Sequence, residues 1–403
     1  MYEMPVFAAD GQSEPAAASP VIWPDPTNVA PVPPKVNAIA FQVSLTERGS
    51  QVQTFDYAYY VRQLLGLRVI ILHGDVSEGS VSEDSMDDNS SKALVLSRWR
   101  KHFELAQMLS PEETGGWLRE QGCFDFYVCL HGKRTGPGSP VGLVDGFMKA
   151  GIRVHLHAIF YGVVPWGSTF ARVGAAVRGS AVPVVPLIVR QGQPIGGNLR
   201  QRLSIADNAT VFCRYGGADT FNIGWVQSVV DRVSKRRPEL YFVFLNTAKF
   251  CSARGNVIHL PAVVQSEAKS RFIRTCDAML HARADGETFG LSVAEFSSHN
   301  KPVLTHCPRE ICNRTRTAPQ RWNQVVGKRK YQVWFEHVRL LGSKAVTYAD
   351  KTELEHMLVA FNRTETRLRS DWNAYERFAP EHVIGQFSAV FLQGVRGART
   401  SAR

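Results

Sequence analysis

The chain has 403 residues, too many for one ordinary core, so it reads as at least two domains. Hydrophobic residues make up 44% of it, and no run approaches the length of a bilayer span, which excludes an integral membrane protein of the helical kind. The formal net charge of +11 favours anionic partners, from phosphorylated metabolites to membrane surfaces.

Residues 1–36 are rich in Pro, Ala and Ser, lack periodicity and read as a flexible tail. They show no basic start followed by an apolar run, so no signal peptide is expected. VNAIAFQVS, from Val36, has the continuous apolar character of a strand buried on both faces. A turn at Arg48-Gly49-Ser50 follows. TFDYAYYVRQLLG then places apolar residues at helical spacing and stops on Gly66, before the second buried strand, LRVIILHG. Such a β-α-β run opens a doubly wound α/β domain.

Residues 74–92 are acidic and turn-rich and read as a surface loop. Helices are predicted at about 93–109 and 111–121. FDFYVCLHG, IRVHLHAIF and AVPVVPLIV supply further strands. The first domain thus covers 37–190, and Gln191 to Asn208 reads as a hinge linker.

A second α/β series begins at Ala209. ATVFCRYGG is a strand ending in a glycine turn, and FNIGWVQSVVDRVSKRRP is an amphipathic helix. LYFVFLNT, NVIHLPAV, AMLHAR and KPVLTH are further strands, and the domain is placed at 209–380. Residues 381–403 are expected to form a C-terminal helix and a basic tail. Seven cysteines, odd in number and with no CxxC, read as buried free thiols of a reducing compartment. Residues 309–330 carry seven Lys and Arg against one Glu310 and read as a basic surface loop, with contact to a membrane surface as its functional reading. No aromatic stacking pattern accompanies these charges, which argues against nucleic acid.

The stretch Asp277–His306 carries the most chemistry. An apolar strand leads into a polar loop, then Glu287, then Phe289-Gly290-Leu291, then a helical run holding Glu295. Gly290 permits a tight turn, and the free amides of a helix starting at Leu291 favour a phosphate. A carboxylate at Glu295 suits a vicinal diol such as ribose. Glu287, before the turn, reaches the opposite side of a diphosphate.

This stretch resembles the donor-binding signature of the retaining GT-B glycosyltransferases of group 1, the glycosyltransferase family 4-like enzymes. Asp277, Glu287, Phe289, Gly290, Leu291, Glu295, Lys301, Pro302 and Val303 match the pattern. Thr288 replaces a glycine, Ala282-Arg283 replaces Pro-Ser, and Phe296 follows Glu295 where the family has alanine. The resemblance implies a GT-B architecture, two Rossmann-like domains facing across a cleft. It implies sugar transfer from a nucleoside diphosphate sugar to a glycan, lipid or protein acceptor. The transfer would retain configuration and need neither metal nor cofactor, and no Asp-x-Asp pair stands at a strand end.

The resemblance further implies Arg214 as the diphosphate clamp, Gly49 and Ser50 as the turn facing the phosphates from the first domain, and Phe289, Gly290 and Leu291 as the donor turn. Glu295 would anchor the ribose. Glu287 would be catalytic, with His157 at a strand end near the reacting sugar. His155 shares a sheet face with His157 and is exchangeable with it. His281 and His306 read as structural. The family places a lysine five residues after the clamp arginine, where this chain has Asp219. That departure keeps open a catalytically inactive GT-B-like scaffold that binds a nucleotide or a partner. The enzyme reading places the protein in the cytoplasm, at most peripheral to a membrane.

Overall fold

The computed structural model describes residues 36–44, 49–74, 89–130, 141–160, 165–177, 181–192, 196–252, 254–263, 265–315, 321–326 and 329–393. Residues 1–35 of the expected N-terminal tail (1–36), most of the acidic loop (75–88), Arg48 and the basic tail from 394 onward lie outside the described residues.

In the first domain, six parallel strands alternate with helices. They are β1 (Ala38–Val43), β2 (Arg68–His73), β3 (Glu104–Gln107), β4 (Asp125–Leu130), β5 (Arg153–Ala158) and β6 (Thr169–Arg172). Helices α1 (Gly49–Leu65), α2 (Asn89–His102), α3 (Pro111–Glu120) and α4 (Val141–Lys149) connect them. The central strands are buried because helices cover both sheet faces, which is why AIAFQV and RVIILH read as apolar runs rather than alternations. Ser110 and Glu113 form a capping box at the start of α3, with Pro111 at the first helical position.

Two expected elements differ. The helix expected over 93–109 starts at Asn89 and ends at His102, and β3 occupies Glu104–Gln107. AVPVVPLIV is not a strand of the sheet, because Pro183 and Pro186 carry no N–H for a ladder. The edge strand is the short TFAR of β6, which this segment meets at a bridge between Arg172 and Val184 rather than along a ladder.

The second domain repeats the plan with β7 (Thr210–Tyr215), β8 (Leu240–Leu245), β9 (Val257–Leu260), β10 (Ala278–His281), β12 (Val303–His306) and β15 (Ala345–Tyr348). Its helices include α5 (Gly224–Arg236), α6 (Ser266–Thr275), α7 (Leu291–Ser298), α10 (Lys351–Val359) and α11 (Arg363–Leu368). The sheet orders are β3-β2-β1-β4-β5-β6 and, read from the matching edge, β9-β8-β7-β10-β12-β15. Counted within each domain, both are 3-2-1-4-5-6. Strand order reverses between β1 and β4 and between β7 and β10, the places where such sheets bind ligands at their carboxyl ends.

A small third sheet lies beside the second domain. β11 (Gly286–Glu287) pairs with β14 (Arg329–Phe335), and β14 forms a hairpin with β13 (Arg321–Val326). Residues 309–330 are therefore not a plain loop: the segment opens with helix α8 (Arg309–Thr315) and continues into this hairpin. Helix α9 (Glu336–Leu341) follows β14.

The chain then returns to the first domain. Helix α12 (Pro380–Phe387) and a π-helical turn at Ser388–Leu392 place Phe387 5.3 Å from Tyr57 and 5.5 Å from Tyr127, ring to ring. The chain is bonded to the first domain just before the linker and to the second domain within it. Gln53 exchanges two hydrogen bonds with the backbone of Ile188 at 2.9 and 2.8 Å. Arg200 is buried against the second domain, 2.8 Å from Asp277 Oδ2, and donates to the carbonyls of Thr275 and Ala209. Arg363 and Arg367 complete the surroundings of Asp277, so one buried carboxylate ties the linker and α11 to the sheet.

The expectation of free thiols fails for one pair. Cys213 on β7 and Cys276 at the end of α6 form a disulfide, while Cys123 and Cys251 keep their thiols. The two half-cystines are 63 residues apart in sequence, a proximity set by packing of α6 against the sheet rather than by any local motif.

Candidate functional site

The carboxyl ends of β7 and β10 flank the reversal point of the second sheet, and the predicted donor residues gather around it. Arg214 sits near the end of β7, buried under the glycine turn that follows. Its guanidinium donates to Thr247 Oγ1 at 2.5 Å, to the Gly217 carbonyl at 3.0 Å and to Thr220 Oγ1. Burial brings its pKa down to about 10, opposed by the Glu287 carboxylate, while the nearby positive charge of Arg283 lowers it further. Asp219, where a lysine was expected, is exposed on the same turn and within electrostatic reach of Arg214.

Glu287 pairs with β14 as half of the two-residue strand β11, instead of standing in an open loop. Arg283 Nη1 donates to its Oε2 at 2.9 Å, and His281 Nε2 lies 3.5 Å from Oε1. Burial alone would raise its pKa. Arg283 and His281 more than reverse this and hold it down to about 2. His281 Nδ1 is 2.8 Å from Thr305 Oγ1, which is 3.0 Å from His337 Nε2. His281, read as structural, thus backs the key carboxylate. The spacing of residues 281, 283 and 287 around one turn was the available signal.

Gly290 takes a left-handed φ of 82°, and an added Cβ would stand 3.1 Å from His337 Cβ and 3.3 Å from Glu287 Cβ. Only glycine turns the chain so close to the carboxylate. Gly290 is the N-cap of α7 and no side chain caps the helix, so its first amides stay available to an anion. Leu291 opens the helix, half-buried. Phe289 is buried against Tyr375 and Phe378, and Tyr375 donates its hydroxyl to the Phe289 carbonyl at 3.1 Å. Phe289 therefore anchors the turn from beneath.

Glu295, one turn along α7, faces the first domain. Its Oε2 is sealed from solvent with no hydrogen-bond partner among the described residues. Burial pushes its pKa up to about 8, the Asp56 carboxylate adds to the rise, and Arg190 opposes it. Nearby, the linker runs hard against α7. Gly192 donates its N–H to the Ser298 carbonyl at 3.2 Å, and a Cβ on Gly192 would meet that oxygen at 2.6 Å.

The first-domain candidates divide. Gly49 and Ser50 open α1 just beyond the carboxyl end of β1, Gly49 exposed and Ser50 half-buried. His157 lies inside the domain with no exposure, Nδ1 2.7 Å from the Tyr127 hydroxyl, beside Tyr57 and Phe391. Burial pushes its pKa down to about 4. His157 is thus walled off from the cleft, because the returning C-terminal segment covers the end of β5 where it stands. His155 is equally enclosed, bonded to Asp125 at 2.8 Å and Thr169 at 2.8 Å. Among the described residues, no group of three or more His, Cys, Asp or Glu is placed to hold a metal ion, and no helix is long and apolar enough to cross a membrane.

Two matching Rossmann-like sheets, a ligand-facing reversal point and a C-terminal helix that crosses back define a GT-B fold. Solved structures share it over nearly their whole length. The Anabaena protein HepE, crystallised with UDP-glucose, superposes with a TM-score of 0.58 at 13% identity, covering 87% of this chain and 98% of that one. A glycosyltransferase from Rickettsia africae gives 0.59 at 9% identity, covering 89% and 98%. The trehalose-6-phosphate synthase OtsA gives 0.55 at 8% identity, covering 89% and 99%. No family model and no curated protein sequence matches the chain.

Proposed function

We propose that this protein is a glycosyltransferase that moves a sugar from a nucleoside diphosphate sugar to an acceptor hydroxyl on a glycan, lipid or protein. One observation carries the reading. Arg214, the uncapped start of α7 and the ionised Glu287 converge on the reversal point of the second sheet. Glycosyl transfer breaks the bond from the anomeric carbon to the diphosphate oxygen and forms one to the acceptor oxygen. Negative charge grows on the leaving diphosphate and positive charge on the sugar ring. Arg214 and the first amides of α7 are fixed partners for the former. Glu287, ionised throughout the neutral range, faces the latter and accepts hydrogen bonds from sugar hydroxyls.

Metal-independent transfer belongs to the same reading, since cationic side chains and helix amides supply the positive charge, and retention of configuration follows from the family resemblance alone. HepE is described with UDP-glucose, which supports a uridine diphosphate sugar as the first donor to try. Glu295 takes the ribose. His157 has no part in the transfer in this reading, being walled off. Calorimetry with UDP and UDP-sugars, followed by product analysis with sugar acceptors, tests the reading. Failure of all nucleoside diphosphates to bind in the millimolar range rejects it. One observation favours the alternative of a binding-only scaffold, the exposed Asp219 beside Arg214. Binding without turnover of any donor would select that alternative.

A further inference from the structure

A diphosphate carries more negative charge than one arginine matches, and Asp219 leaves Arg214 without its expected companion. The structure places another cation at the same spot. Arg283 begins the turn just after β10, and β10 is the hydrogen-bonded neighbour of β7, which carries Arg214. Both side chains therefore rise from the carboxyl ends of the strands that flank the reversal point. Each guanidinium acts electrostatically on the other, and the half-buried Glu287 carboxylate acts on both.

The turn that carries Arg283 is held firmly. Gly286 donates its N–H to the Arg283 carbonyl at 3.1 Å and takes a φ of 63°. Asn222 receives the Ala284 N–H at 2.8 Å and donates its own N–H to the Ala282 carbonyl at 3.1 Å. On this base the Arg283 side chain spends one N–H among the described residues, from Nη1 to Glu287. Its Nε is closed off from solvent and has no hydrogen-bond partner among the described residues. Unmade donors of a guanidinium beside an anion site are matched by phosphate oxygens, which accept two parallel bonds from such a fork.

We propose that Arg283 supplies the second cation for the donor's diphosphate, and that it exchanges between Glu287 in the empty site and the diphosphate in the loaded one. The inference rests on the glycosyltransferase reading. In the empty site, Glu287 and Arg283 neutralise each other. When the diphosphate takes Arg283, the Glu287 carboxylate is released towards the sugar hydroxyls. Donor binding thereby assembles the sugar subsite, a task the missing lysine could not perform from its own turn.

Calorimetry on the full-length chain tests this with the diphosphates of uridine, guanosine and adenosine, each against its bare nucleoside. Arg283→Gln should weaken the preferred diphosphate about 10- to 100-fold, the loss of one or two charge-assisted bonds, and leave the nucleoside unchanged. Arg283→Lys should fall between. Glu287→Gln should bind the diphosphate more tightly than wild type, since Arg283 no longer has to leave a carboxylate. Loss of a neighbouring negative charge tightens diphosphate binding by itself, so the gain from Glu287→Gln must be larger in the presence of Arg283 than in the Arg283→Gln background. Wild-type affinity in Arg283→Gln, equal losses for diphosphate and nucleoside, or a gain from Glu287→Gln no larger with Arg283 than without it would overturn the proposal while leaving the transferase reading intact. Failure of the wild type to bind any of the three diphosphates would instead remove both.

Discussion

Arg190 Nη2 stands 2.6 Å from Asp56 Oδ1, joining the segment that leaves the first domain to helix α1 at the point opposite Glu295. Two carboxylates thus share the field of one arginine across the interdomain boundary. Asp56 holds the contact, and Glu295 is left without a hydrogen bond to its Oε2 among the described residues. The geometry has a consequence for pH.

The folded-state pKa of Glu295 is raised to about 8, against an ordinary 4.5. Between those values the native state holds a proton that the unfolded chain has lost, so this group's contribution to stability falls as pH rises through that window. Glu295→Gln removes the dependence. Thermal melts at pH 5.5 and 8.5 should show a smaller loss for the variant than for wild type. Parallel shifts for the two proteins would contradict the placement of Glu295.

Ribose hydroxyls donate best to an ionised carboxylate. Nucleoside diphosphate affinity should therefore rise with pH from 6 towards 8 in the wild type and level off above it, with release of a proton on binding below pH 8. Calorimetry in buffers of different ionisation enthalpy measures that proton. A flat affinity across the range would show that Glu295 does not touch the ribose.

In the proposed reaction, Glu287→Gln keeps shape but removes the charge that would face the developing positive centre. Turnover should fall on the order of 10²- to 10³-fold, the size seen when one preorganised electrostatic partner is lost. The melting temperature should fall as well, because Arg283 and His281 favour the ionised Glu287 in the folded state and would be left around a neutral amide. Unchanged turnover with the true donor would move the site elsewhere.

Asp277→Asn should destabilise the second domain by about 3–5 kcal/mol, since Arg200, Arg363 and Arg367 would be left around a neutral amide, with Arg200 fully enclosed. Urea unfolding reads this directly. A loss below about 1 kcal/mol would mean that solvent already satisfies the cluster.

Reduction of the Cys213–Cys276 bond should lower the midpoint of unfolding. Opening a loop of 63 residues costs about 2–4 kcal/mol of stability. Melts with and without reductant, set against Cys213→Ser, measure it. Identical curves for all three conditions would show that the bond is not formed in solution.

Much of the second domain was legible in the sequence, for local reasons. Strands buried on both faces must be apolar throughout, so VFCRY, YFVFL and AMLH announce themselves. A helix entered from a left-handed residue calls for glycine, so Phe-Gly-Leu marks the start of α7. The enclosure of His157 was not legible, because alternation along a strand specifies a sheet face but not what covers it. Phe391, more than two hundred residues away, closes that face. The basic segment 309–330 misled because a hairpin edge finds its partner strand only in three dimensions.

The sequence by itself determined two α/β series and the glycine turn between Glu287 and Glu295, while Arg214 as a diphosphate clamp came only from the family resemblance. The series and the turn depend on periodicity and on one backbone conformation, and both are properties of neighbouring residues. Tertiary structure alone decided that Arg283 and His281 surround Glu287, that Asp56 and Arg190 face Glu295, that Cys213 meets Cys276, and that His157 is enclosed. Those relations join side chains from different strands or domains. Their charges and bonds arise only once burial lowers the local dielectric and brings distant partners within a few ångströms.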